Sequence, residues 1–421
     1  MQHPAETVEL VVDRLGAQGD GIAQWRGEAV FLPFTVPGDR VRARIGARRG
    51  EGHEGRVVER LADGGGRVEP VCAHFGRCGG CALQHLGADA YRAVKLGALT
   101  AALRRVGIDP AVVAPLRTVA PLRRRARLGL SRPRERRSPV AVGFRERFRQ
   151  MPVDLSECHV LDPALFALVE PLRRAAVELL PPGGTAEAML TRCDSGIDLL
   201  VESTERPGLA ALEALAALAE RQDLARVVWR TADDDVPVVE RRPARVMFNG
   251  VSVSLPPGAF LQASAAAEAV LVAEIVAAIG PRRPALDLFA GLGTFAFALA
   301  GGAVHAVEGD APAAAALAQA AAGVPGVTVE RRDLFREPLA VEELARFAAA
   351  VFDPPRAGAL RQAAALAASA IGTIVAVSCN PATFARDAAR LIAGGYRLER
   401  VAPVDQFVWT PHLELAGVFR R

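Results

Sequence analysis

Apolar and polar positions alternate with a period of two over much of the first 62 residues. The stretches "VELVVDRL", "GIAQWRGEAVFLPF", "DRVRARIGARRG" and "EGRVVERLAD" show this alternation, and glycine-containing turns separate them. Short alternating strands at close spacing are typical of a small antiparallel barrel. We therefore predict a β-barrel domain over residues 1–62, followed by a linker at "DGGGR".

Between residues 68 and 245 the pattern is mixed. "ADAYRAVKLGALTAALRRVG" and "GLAALEALAALAERQ" are typical of helices, whereas "IDLLVEST" and "ARVVWRT" are typical of strands. This order predicts a central α+β domain over residues 68–245.

From residue 246 onward, apolar strands alternate with Ala-rich helices. "PALDLFAGLGTFAFALA" is typical of a strand, a glycine-rich turn and a helix, and "GGAVHAVEGDAPAAAALAQAAAG" of a second strand and helix. "FAAAVFDPPRAG" and "IGTIVAVSCNP" add two strands that each end in a polar corner. This alternation predicts an α/β fold with a doubly wound, mostly parallel sheet over residues 246–421.

Composition narrows the class of protein. With 421 residues the chain is long enough for two or three domains, and its 51% hydrophobic residues exclude a disordered protein. No window holds the roughly 18 consecutive apolar residues of a membrane span, and the segment "MQHPAETVEL" lacks the features of a secretory signal. We therefore expect a cytoplasmic protein that does not enter a membrane.

Positive charge is concentrated in one segment. The formal net charge is only +4, but residues 117–149 hold twelve arginines and only two acids. Basic runs of this kind bind nucleic acid or phosphate, although a solvated surface and an arginine-rich genomic composition are alternatives. Phe144, Phe148 and Trp25 lie among basic residues and are candidate stacking surfaces for bases, with core packing as the alternative.

A glycine-rich turn follows the first strand of the C-terminal region. Gly291 and Gly293 lack side chains there, so a ligand can approach the helix N-terminus closely. Glu308 at the end of the next strand is placed to accept hydrogen bonds from two ribose hydroxyls, unless it only caps the loop. Together these features predict an adenosine-containing ligand, and "GLGTF" fits S-adenosylmethionine better than NAD.

Two later strand ends and the final strand carry groups with chemistry. Asp353 stands in the corner "DPPRAG", which two prolines stiffen, and Cys379 ends the next strand. If the last strand returns antiparallel through the sheet, Glu414 begins it at the same edge. Taken singly, Asp353 fits a rigid turn, Cys379 a packed core and Glu414 a surface. Together beside a methyl donor, the thiol and the carboxylate predict a reaction centre.

These motifs resemble those of the RNA uracil-carbon-5 methyltransferases. "SCNPATFARD" is similar to the family's nucleophile motif, "HLE" to its general-base motif, and "LDLFAGLGTF" and "DPPRAG" to its cofactor motifs. "CAHFGRCGGCALQH" with "SECHVL" resembles the iron–sulfur site of the 23S ribosomal RNA branch, and residues 1–62 resemble its TRAM domain, an RNA-binding barrel. The resemblance implies that residues 246–421 form a Rossmann-like class I methyltransferase domain.

The resemblance also implies roles for single residues. Cys379 would be the nucleophile that adds to uracil carbon 6, and Glu414 the base that removes the proton from carbon 5. The positions that match cofactor contacts are Gln262, Phe289, Gly291, Gly293, Thr294, Glu308, Asp333 and Asp353. Three positions depart from the family pattern, which has a cysteine at Ala290, often an asparagine at Thr294, and an amide at Asp333.

Six cysteines in a chain without a secretory signal do not indicate a disulfide framework. The resemblance implies that four of them hold a [4Fe–4S] cluster, and their three-plus-one arrangement suits one: Cys72, Cys78, Cys81 and Cys158. Zinc remains open as an alternative because three histidines lie near these cysteines: His74, His85 and His159. Cys193 is expected to be structural. A cluster at this place would serve folding or RNA docking.

The sequence therefore predicts an enzyme that uses S-adenosylmethionine to form 5-methyluridine in RNA. The expected substrate and partner is 23S ribosomal RNA, and transfer RNA is an alternative. An alternative from another class is an inactive iron–sulfur protein that binds RNA or assists assembly. We expect a monomer.

Overall fold

A computed structural model describes residues 6–135 and 139–421 of the chain. Within these residues the strands form a six-stranded N-terminal sheet, a six-stranded central sheet, a two-stranded ribbon and an eight-stranded C-terminal sheet. No helix among them is both long and apolar enough to cross a lipid bilayer.

The N-terminal sheet is built from the alternating segments at the start of the chain. Its strands are β1 (Thr7–Val11), β2 (Arg14–Leu15), β3 (Gly21–Trp25), β4 (Glu28–Leu32), β5 (Arg40–Arg49) and β6 (Gly52–Ala62). In β5, Val41, Ala43 and Ile45 enter a small core. Irregular pairing of β5 with β6 bends the two long strands. The predicted strands are present, and closure of the sheet into a barrel stays a prediction.

The next segment of the chain lies against the C-terminal sheet. It contains α1 (Ala88–Arg105), a short 3₁₀ helix (Pro110–Val112) and β7 (Arg117–Thr118). Leu99 and Leu103 of α1 belong to the core beneath the C-terminal sheet, and β7 pairs with a strand of that sheet. The prediction assigned these residues to the central region, because a helical sequence pattern alone does not reveal which core the helix joins.

The central sheet has the mixed composition that the sequence indicates. Its elements are β8 (Arg125–Ser131), β9 (Ala141–Gly143), α2 (Pro163–Phe166), α3 (Val169–Leu179), β10 (Thr185–Cys193), β11 (Gly196–Glu202), α4 (Leu209–Arg221), β12 (Arg226–Arg230) and β13 (Asp235–Glu240). Strands β11 and β12 are parallel and joined by α4, whereas the other pairs are antiparallel. Helices α3 and α4 cover the apolar face of this sheet.

The C-terminal region begins with the ribbon and continues as alternating helices and strands. Its elements are β14 (Arg245–Phe248), β15 (Val251–Ser254), α5 (Ala265–Ile279), β16 (Ala285–Leu288), α6 (Thr294–Ala298), β17 (Val304–Glu308), α7 (Ala311–Ala321), β18 (Val327–Arg331), α8 (Val341–Leu344), β19 (Ala349–Phe352), α9 (Leu360–Ala368), β20 (Thr373–Ser378), α10 (Pro381–Ala393), β21 (Arg397–Asp405) and β22 (Glu414–Arg420).

The C-terminal sheet has the order β18-β17-β16-β19-β20-β22-β21-β7. Strands β16 to β20 are parallel, and β22 runs antiparallel between β20 and β21. The chain order reverses between β16 and β19, and ligands of such sheets bind at the carboxyl ends of the strands beside this point. The α/β class predicted for this region is confirmed.

Candidate active site

The topology brings the predicted reaction centre to one edge of the C-terminal sheet. Cys379 directly follows β20, and Glu414 is the first residue of β22. The antiparallel register pairs Ser378 with Leu415, so Cys379 and Glu414 stand next to each other at the end of that pair. Asp353 follows β19 at the same edge. The predicted return of the last strand is therefore present.

A chain of side-chain amides links the two carboxyl groups at this edge. Gln406 Nε2 donates to Glu414 Oε2 at 2.7 Å and lies 2.9 Å from Gln262 Oε1. Gln262 Nε2 in turn donates to Asp353 Oδ2 at 3.1 Å. Glu414, Gln406 and Gln262 are almost fully buried. This connected network fixes the positions of the carboxyl groups, because a buried polar group is costly unless it is hydrogen-bonded.

Gln406 is a site residue that the sequence does not reveal. It directly follows β21 in "VDQF", a stretch that contains none of the motifs identified in the sequence. Its contact with Glu414 depends on the path of the chain between β21 and β22. No periodicity or spacing rule specifies that path.

Burial and mutual repulsion hold protons on the groups of this network. Burial raises the pKa of Asp353 to about 7. Burial, followed by the charge of Asp353, raises the pKa of Glu414 well above its ordinary value, although the hydrogen bond from Gln406 lowers it. Burial, followed by the charges of Glu414 and Asp353, raises the pKa of the Cys379 thiol to about 11, against which the Arg356 guanidinium acts. The groups therefore compete for a small number of negative charges.

The corner after β19 is braced by the start of α10. Asn380 caps α10 by accepting from the Ala382 N–H at 3.1 Å, and its Nδ2 donates to the Arg356 carbonyl at 3.1 Å. The Thr383 hydroxyl donates to the same carbonyl at 3.3 Å. These bonds tie the turn that carries Cys379 to the corner that carries Asp353 and Arg356, so the two strand ends form one unit.

The glycine-rich turn after β16 has the shape of a ligand cradle. Gly291 and Gly293 have left-handed φ angles of 56° and 92°, a region that favours glycine. A Cβ on Gly291 would meet open space, whereas a Cβ on Gly293 would clash with Leu317 and Phe297. Gly291 is thus required by backbone conformation and leaves room for a ligand. Thr294 is the first residue of α6, so its backbone N–H is unpaired within the helix.

Glu308 supports this turn from the end of β17. Its Oε2 accepts from the Gly291 N–H and its Oε1 from the Asp310 N–H, each at 2.7 Å. A carboxylate offers about four acceptor positions, so both oxygens retain capacity for ribose hydroxyls. Glu308 therefore has the loop-capping contact that was the alternative interpretation, and it keeps the acceptors that the first interpretation needs.

A buried carboxyl group and a pair of aromatic rings lie next to this turn. Asp287 at the end of β16 is fully buried, and both its oxygens lack a hydrogen-bond partner within residues 6–135 and 139–421. Burial raises its pKa well above the ordinary value. The Phe289 ring lies 5.4 Å from the Phe335 ring, while Asp333 accepts from the Phe335 N–H at 2.9 Å. The open cradle, the aromatic pair and the free acceptors are what a bound S-adenosylmethionine needs.

The four cysteines predicted as cluster ligands line one small cavity. Cys72, Cys78, Cys81 and Cys158 surround it together with His74, Phe144 and Glu157. Burial raises the pKa of each of the four thiols, to about 11 for Cys81, and the nearby Arg123 guanidinium lowers those of Cys78, Cys81 and Cys158. His85 lies apart from this cavity, where it is close to the Thr35 carbonyl.

Two kinds of metal group use four cysteines of this kind, a single zinc ion and an iron–sulfur cluster. Among the residues the structure describes, no three His, Cys, Asp or Glu side chains converge closely enough to hold one metal ion. A zinc ion needs four ligands at about 2.0–2.3 Å, so its thiolates would converge on one point. The four thiols line one common cavity, as the predicted four-cysteine cluster requires, and His74 and His159 line it too.

The arginine-rich segment is partly neutralised, mostly by acids from elsewhere in the fold. Arg127 pairs with Glu187 and Glu202, and Arg145 also pairs with Glu187. Four further arginines of the segment pair with acids: Arg117, Arg124, Arg147 and Arg149. Arg136 and Arg137 lie outside the described residues. The local excess of positive charge is therefore smaller in the folded protein than along the sequence, because most of the counter-charges come from other segments of the chain.

A basic cleft of about 600 Å³ lies between the N-terminal sheet, the cysteine-rich segment and the C-terminal region. It is lined by Arg49, Arg123, Arg145 and Arg147, and on its far side by residues 407–412 near Glu414. The Arg123 guanidinium has two buried nitrogens with no hydrogen-bond partner in the described chain. An anionic ligand in this cleft would supply such a partner.

The three candidate stacking residues occupy different surroundings. Phe144 lines the cleft and the cysteine-lined cavity and packs against the central core. Phe148 is 70% exposed, and the Arg147 guanidinium lies 5.8 Å from its ring centre. Trp25 packs edge-on against His53 and beneath Arg26. Of the three, Phe148 offers the freest aromatic face.

Comparison with known proteins identifies the relatives of this chain. The family model of tRNA (uracil-5-)-methyltransferases matches residues 251–421. An uncharacterized RNA methyltransferase of Brucella suis biovar 1 is 40% identical over 421 residues, which cover 99% of each chain. The 23S rRNA (uracil(1939)-C(5))-methyltransferase RlmD of Chromohalobacter salexigens is 37% identical over 420 residues, covering 96% of this chain and 87% of that one.

The fold is shared with a solved structure. The tRNA (uracil-54, C5)-methyltransferase of Pyrococcus abyssi, determined in complex with S-adenosyl-L-homocysteine, superposes with a TM-score of 0.76. The match covers 98% of this chain and 99% of that chain at 24% sequence identity. At this identity the comparison establishes a common fold along nearly the whole chain.

Proposed function

Because the chain belongs to the family of RNA uracil-C5 methyltransferases, which use S-adenosylmethionine, we propose that it forms 5-methyluridine in 23S ribosomal RNA through a covalent bond from Cys379 to the target base. The observation that carries this proposal is the juxtaposition of Cys379 and Glu414 at one sheet edge, beside the glycine-rich cradle. The name of the 37% identical RlmD supports 23S ribosomal RNA as the substrate.

The proposed reaction begins with the Cys379 sulfur. Carbon 5 of uracil is a weak nucleophile, and addition of a thiolate to carbon 6 pushes the electrons of the double bond towards the carbon-4 oxygen, which makes carbon 5 nucleophilic. Bound S-adenosylmethionine supplies an electrophilic methyl group for that carbon. The Cys379 thiol must first lose its proton, because only the thiolate attacks. Arg356 favours the thiolate, whereas Glu414 and Asp353 oppose it while they are charged.

The reaction ends with Glu414. Its carboxylate removes the proton that remains on carbon 5, the electron pair restores the bond between carbons 5 and 6, and the bond from carbon 6 to Cys379 breaks to release the thiolate. The raised pKa of Glu414 makes its carboxylate a stronger proton acceptor. Burial and the hydrogen bond from Gln406 hold the group in place for this single task.

The cofactor side of the site is assigned to the crevice at the ends of β16, β17 and β19. We assign Gly291, Gly293 and Thr294 to the turn that accepts the cofactor, and Glu308 to its ribose. Phe289 is assigned to its adenine ring, with Asp333 supporting the neighbouring Phe335. We assign Gln262 and Asp353, which are hydrogen-bonded to each other, to the part of the cofactor site nearest to Cys379.

We further propose that Cys72, Cys78, Cys81 and Cys158 hold a [4Fe–4S] cluster. The gathering of the four thiols around one cavity supports this proposal, since a [4Fe–4S] cluster takes four cysteine ligands. The cluster has no part in the methyl-transfer chemistry, because its ligands lie in a cavity separate from the Cys379 edge. Its role in the proposal is to order the cysteine-rich segment, which forms one wall of the basic cleft.

Mapping of the modified nucleoside tests the substrate. A strain lacking the enzyme is compared with one that carries it, and 5-methyluridine is quantified by mass spectrometry in the separated 23S ribosomal RNA and transfer RNA. We expect the modification to disappear from 23S ribosomal RNA. Its loss from transfer RNA alone would establish the transfer RNA alternative. An enzyme of ribosome maturation acts in the cytoplasm, so the proposal also implies that location.

A further inference from the structure

One segment of chain connects the two ends of the amide network at the active site. We call residues 406–413, between β21 and β22, the base loop. It begins with Gln406 and is followed directly by Glu414, which are hydrogen-bonded to each other. Any shift of the base loop therefore moves the proposed base and its hydrogen-bond donor together.

Helix α1 holds the base loop through a buried lysine. Lys95 Nζ donates to Asp405 Oδ1 at 2.5 Å, to the Phe407 carbonyl at 3.0 Å and to the His412 carbonyl at 2.6 Å. Its three ammonium hydrogens thus meet three acceptors, two of them near the opposite ends of the loop. Lys95 is 1% exposed. A buried ammonium is tolerated only when it is paired and fully hydrogen-bonded, as it is here.

Tyr91, one helical turn before Lys95, contacts the same segment. Its hydroxyl donates to Asp405 Oδ2 at 2.6 Å and accepts from the Trp409 N–H at 3.0 Å. Residues four apart lie on one face of a helix. A single face of α1 therefore reaches the start, the middle and the end of the base loop.

The cysteine-rich segment holds the loop from its other side. The Trp409 carbonyl accepts from the Ala82 N–H at 2.7 Å and from the Leu83 N–H at 3.0 Å. Both residues directly follow Cys81. Trp409 has a φ of 61°, which is strained for a bulky residue and persists only where surrounding bonds impose it. The backbone at Trp409 is thus fixed from α1 and from the cysteine-rich segment.

The choice of residue supports a specific role for this contact. The chain has 51 basic residues, and Lys95 is the one lysine among them. A guanidinium is planar and larger, so it does not fit three acceptors gathered around one nitrogen. An ammonium does fit them, and the exception to the arginine composition occurs at this buried point.

We propose that Lys95 is a positioning residue that holds Glu414 in place for removal of the carbon-5 proton, with Tyr91 and Asp405 as its partners. This inference rests on the proposed function of Glu414. The contact of Trp409 with Ala82 and Leu83 extends the same brace to the cysteine-lined cavity. Loosening the brace should slow proton removal more than the preceding bond formation at carbons 5 and 6. The methylated adduct between Cys379 and RNA then accumulates.

The test compares four variants of the full chain. Lys95→Met/Asp405→Asn removes both buried charges, because removing Lys95 alone would leave the buried Asp405 charge unpaired and destabilise the fold. Tyr91→Phe removes only a hydroxyl. Arg92→Met on the same helix is the matched control, since Arg92 is exposed and contacts Asp89. Glu414→Gln is the reference for lost proton removal.

Each variant is incubated with tritiated S-adenosylmethionine and an unmethylated 23S ribosomal RNA transcript, then denatured and digested with ribonuclease. Tritium on the protein band measures the methylated adduct, and tritium in released nucleosides measures product. Equilibrium dialysis with S-adenosylmethionine confirms a folded site. We expect the double variant to lose about 10- to 100-fold in turnover and to carry more tritium on protein. We expect a fall of about two- to tenfold for Tyr91→Phe, and Arg92→Met should match the parent.

The outcomes separate the inference from the proposal beneath it. If Glu414→Gln accumulates adduct, but the double variant binds the cofactor and loses turnover without adduct, Lys95 does not position the base. Unchanged turnover in the double variant also overturns the inference. If the double variant fails to bind the cofactor, turnover and tritium on the protein band are compared in Tyr91→Phe instead. Absence of adduct in Glu414→Gln overturns the role of Glu414 itself, and the inference with it.

Discussion

The thiols of Cys379 and Cys81 have similarly raised pKa values but different neighbouring groups. Burial raises the pKa of both Cys379 and Cys81 to about 11. At Cys379 the charges of Glu414 and Asp353 raise it further, and the Arg356 guanidinium acts against them. At Cys81 the hydrogen bond with Gln84 and the Arg123 guanidinium lower it, and three other thiols line the same cavity. The pKa therefore does not distinguish the proposed nucleophile from the proposed metal ligand. Their neighbours do, because Cys379 lies beside Glu414, whereas three other thiols line the cavity at Cys81.

The largest difference between the two thiols should appear when each is removed, beginning with Cys379. Cys379→Ala should abolish methyl transfer by at least about 10⁴-fold, because no other group can add to carbon 6. Binding of S-adenosylmethionine should stay unchanged, as measured by equilibrium dialysis. Cys193→Ala is the control, since Cys193 lies at the end of β10, outside the proposed site, where its sulfur is close to Ser195 and Gly196. Substantial turnover in Cys379→Ala would remove the covalent mechanism.

The second test concerns the base that sets Cys379 apart. Glu414→Gln should lower turnover by roughly 10²–10⁴-fold, because the amide keeps the hydrogen bond to Gln406 but cannot accept the carbon-5 proton. The rate of cofactor and RNA binding should change little. Release of tritium from RNA labelled at uracil carbon 5 measures the affected step directly. Release at the parent rate would assign proton removal to another group.

The third test addresses the other thiol. Cys81→Ser should lower the iron and sulfide content of the purified protein and its visible absorption, and should lower the unfolding midpoint by roughly 5–10 °C. Methyl transfer should fall about tenfold through weaker RNA binding and a looser Trp409 contact, with cofactor affinity retained. Cys193→Ser should keep its iron. A protein that contains zinc in place of iron would favour the zinc alternative.

The smallest expected effect is a shift in the pH profile. At pH 7 a thiol with a pKa of about 11 is ionised to only about one part in 10⁴, so kcat/KM should rise as pH increases from 6 to 9. The carboxyl groups, whose pKa values are also raised, lose their protons in the same direction. Arg356→Gln should move the rise to higher pH because the charge that favours the thiolate is gone. Arg390→Gln on α10 is the exposed control, and an identical profile in Arg356→Gln would contradict this role.

The sequence predicts the reaction edge because its geometry follows from topology. Parallel strands end at one edge, and a last strand that returns antiparallel begins there, which places Glu414 beside Cys379. The glycine-rich turn and Glu308 were predicted for the same reason, since both are attached to strand ends. The position of a motif attached to a strand end can therefore be predicted from the order and direction of the strands.

What the sequence did not reveal depends on contacts between distant segments. Gln406 reaches Glu414 only through the path of the base loop. Most acids that pair with the arginine-rich segment come from distant parts of the chain, as Glu187 does for Arg127 and Arg145. Helix α1 was assigned to the central region, although its apolar face packs under the C-terminal sheet. In each case the local pattern specifies the element but not its partner.

The single lysine gives the molecule an unusual chemical property. Lys95 is the one lysine of this sequence, and it is buried against Asp405 and two backbone carbonyls. Reagents that modify lysine amines therefore find no lysine on the surface of the folded protein. Modification requires α1 and the neighbouring chain to separate, and its rate therefore measures how often this contact opens. The reactivity of the Lys95 amine thus reports how often the structure opens next to the edge that carries Cys379 and Glu414.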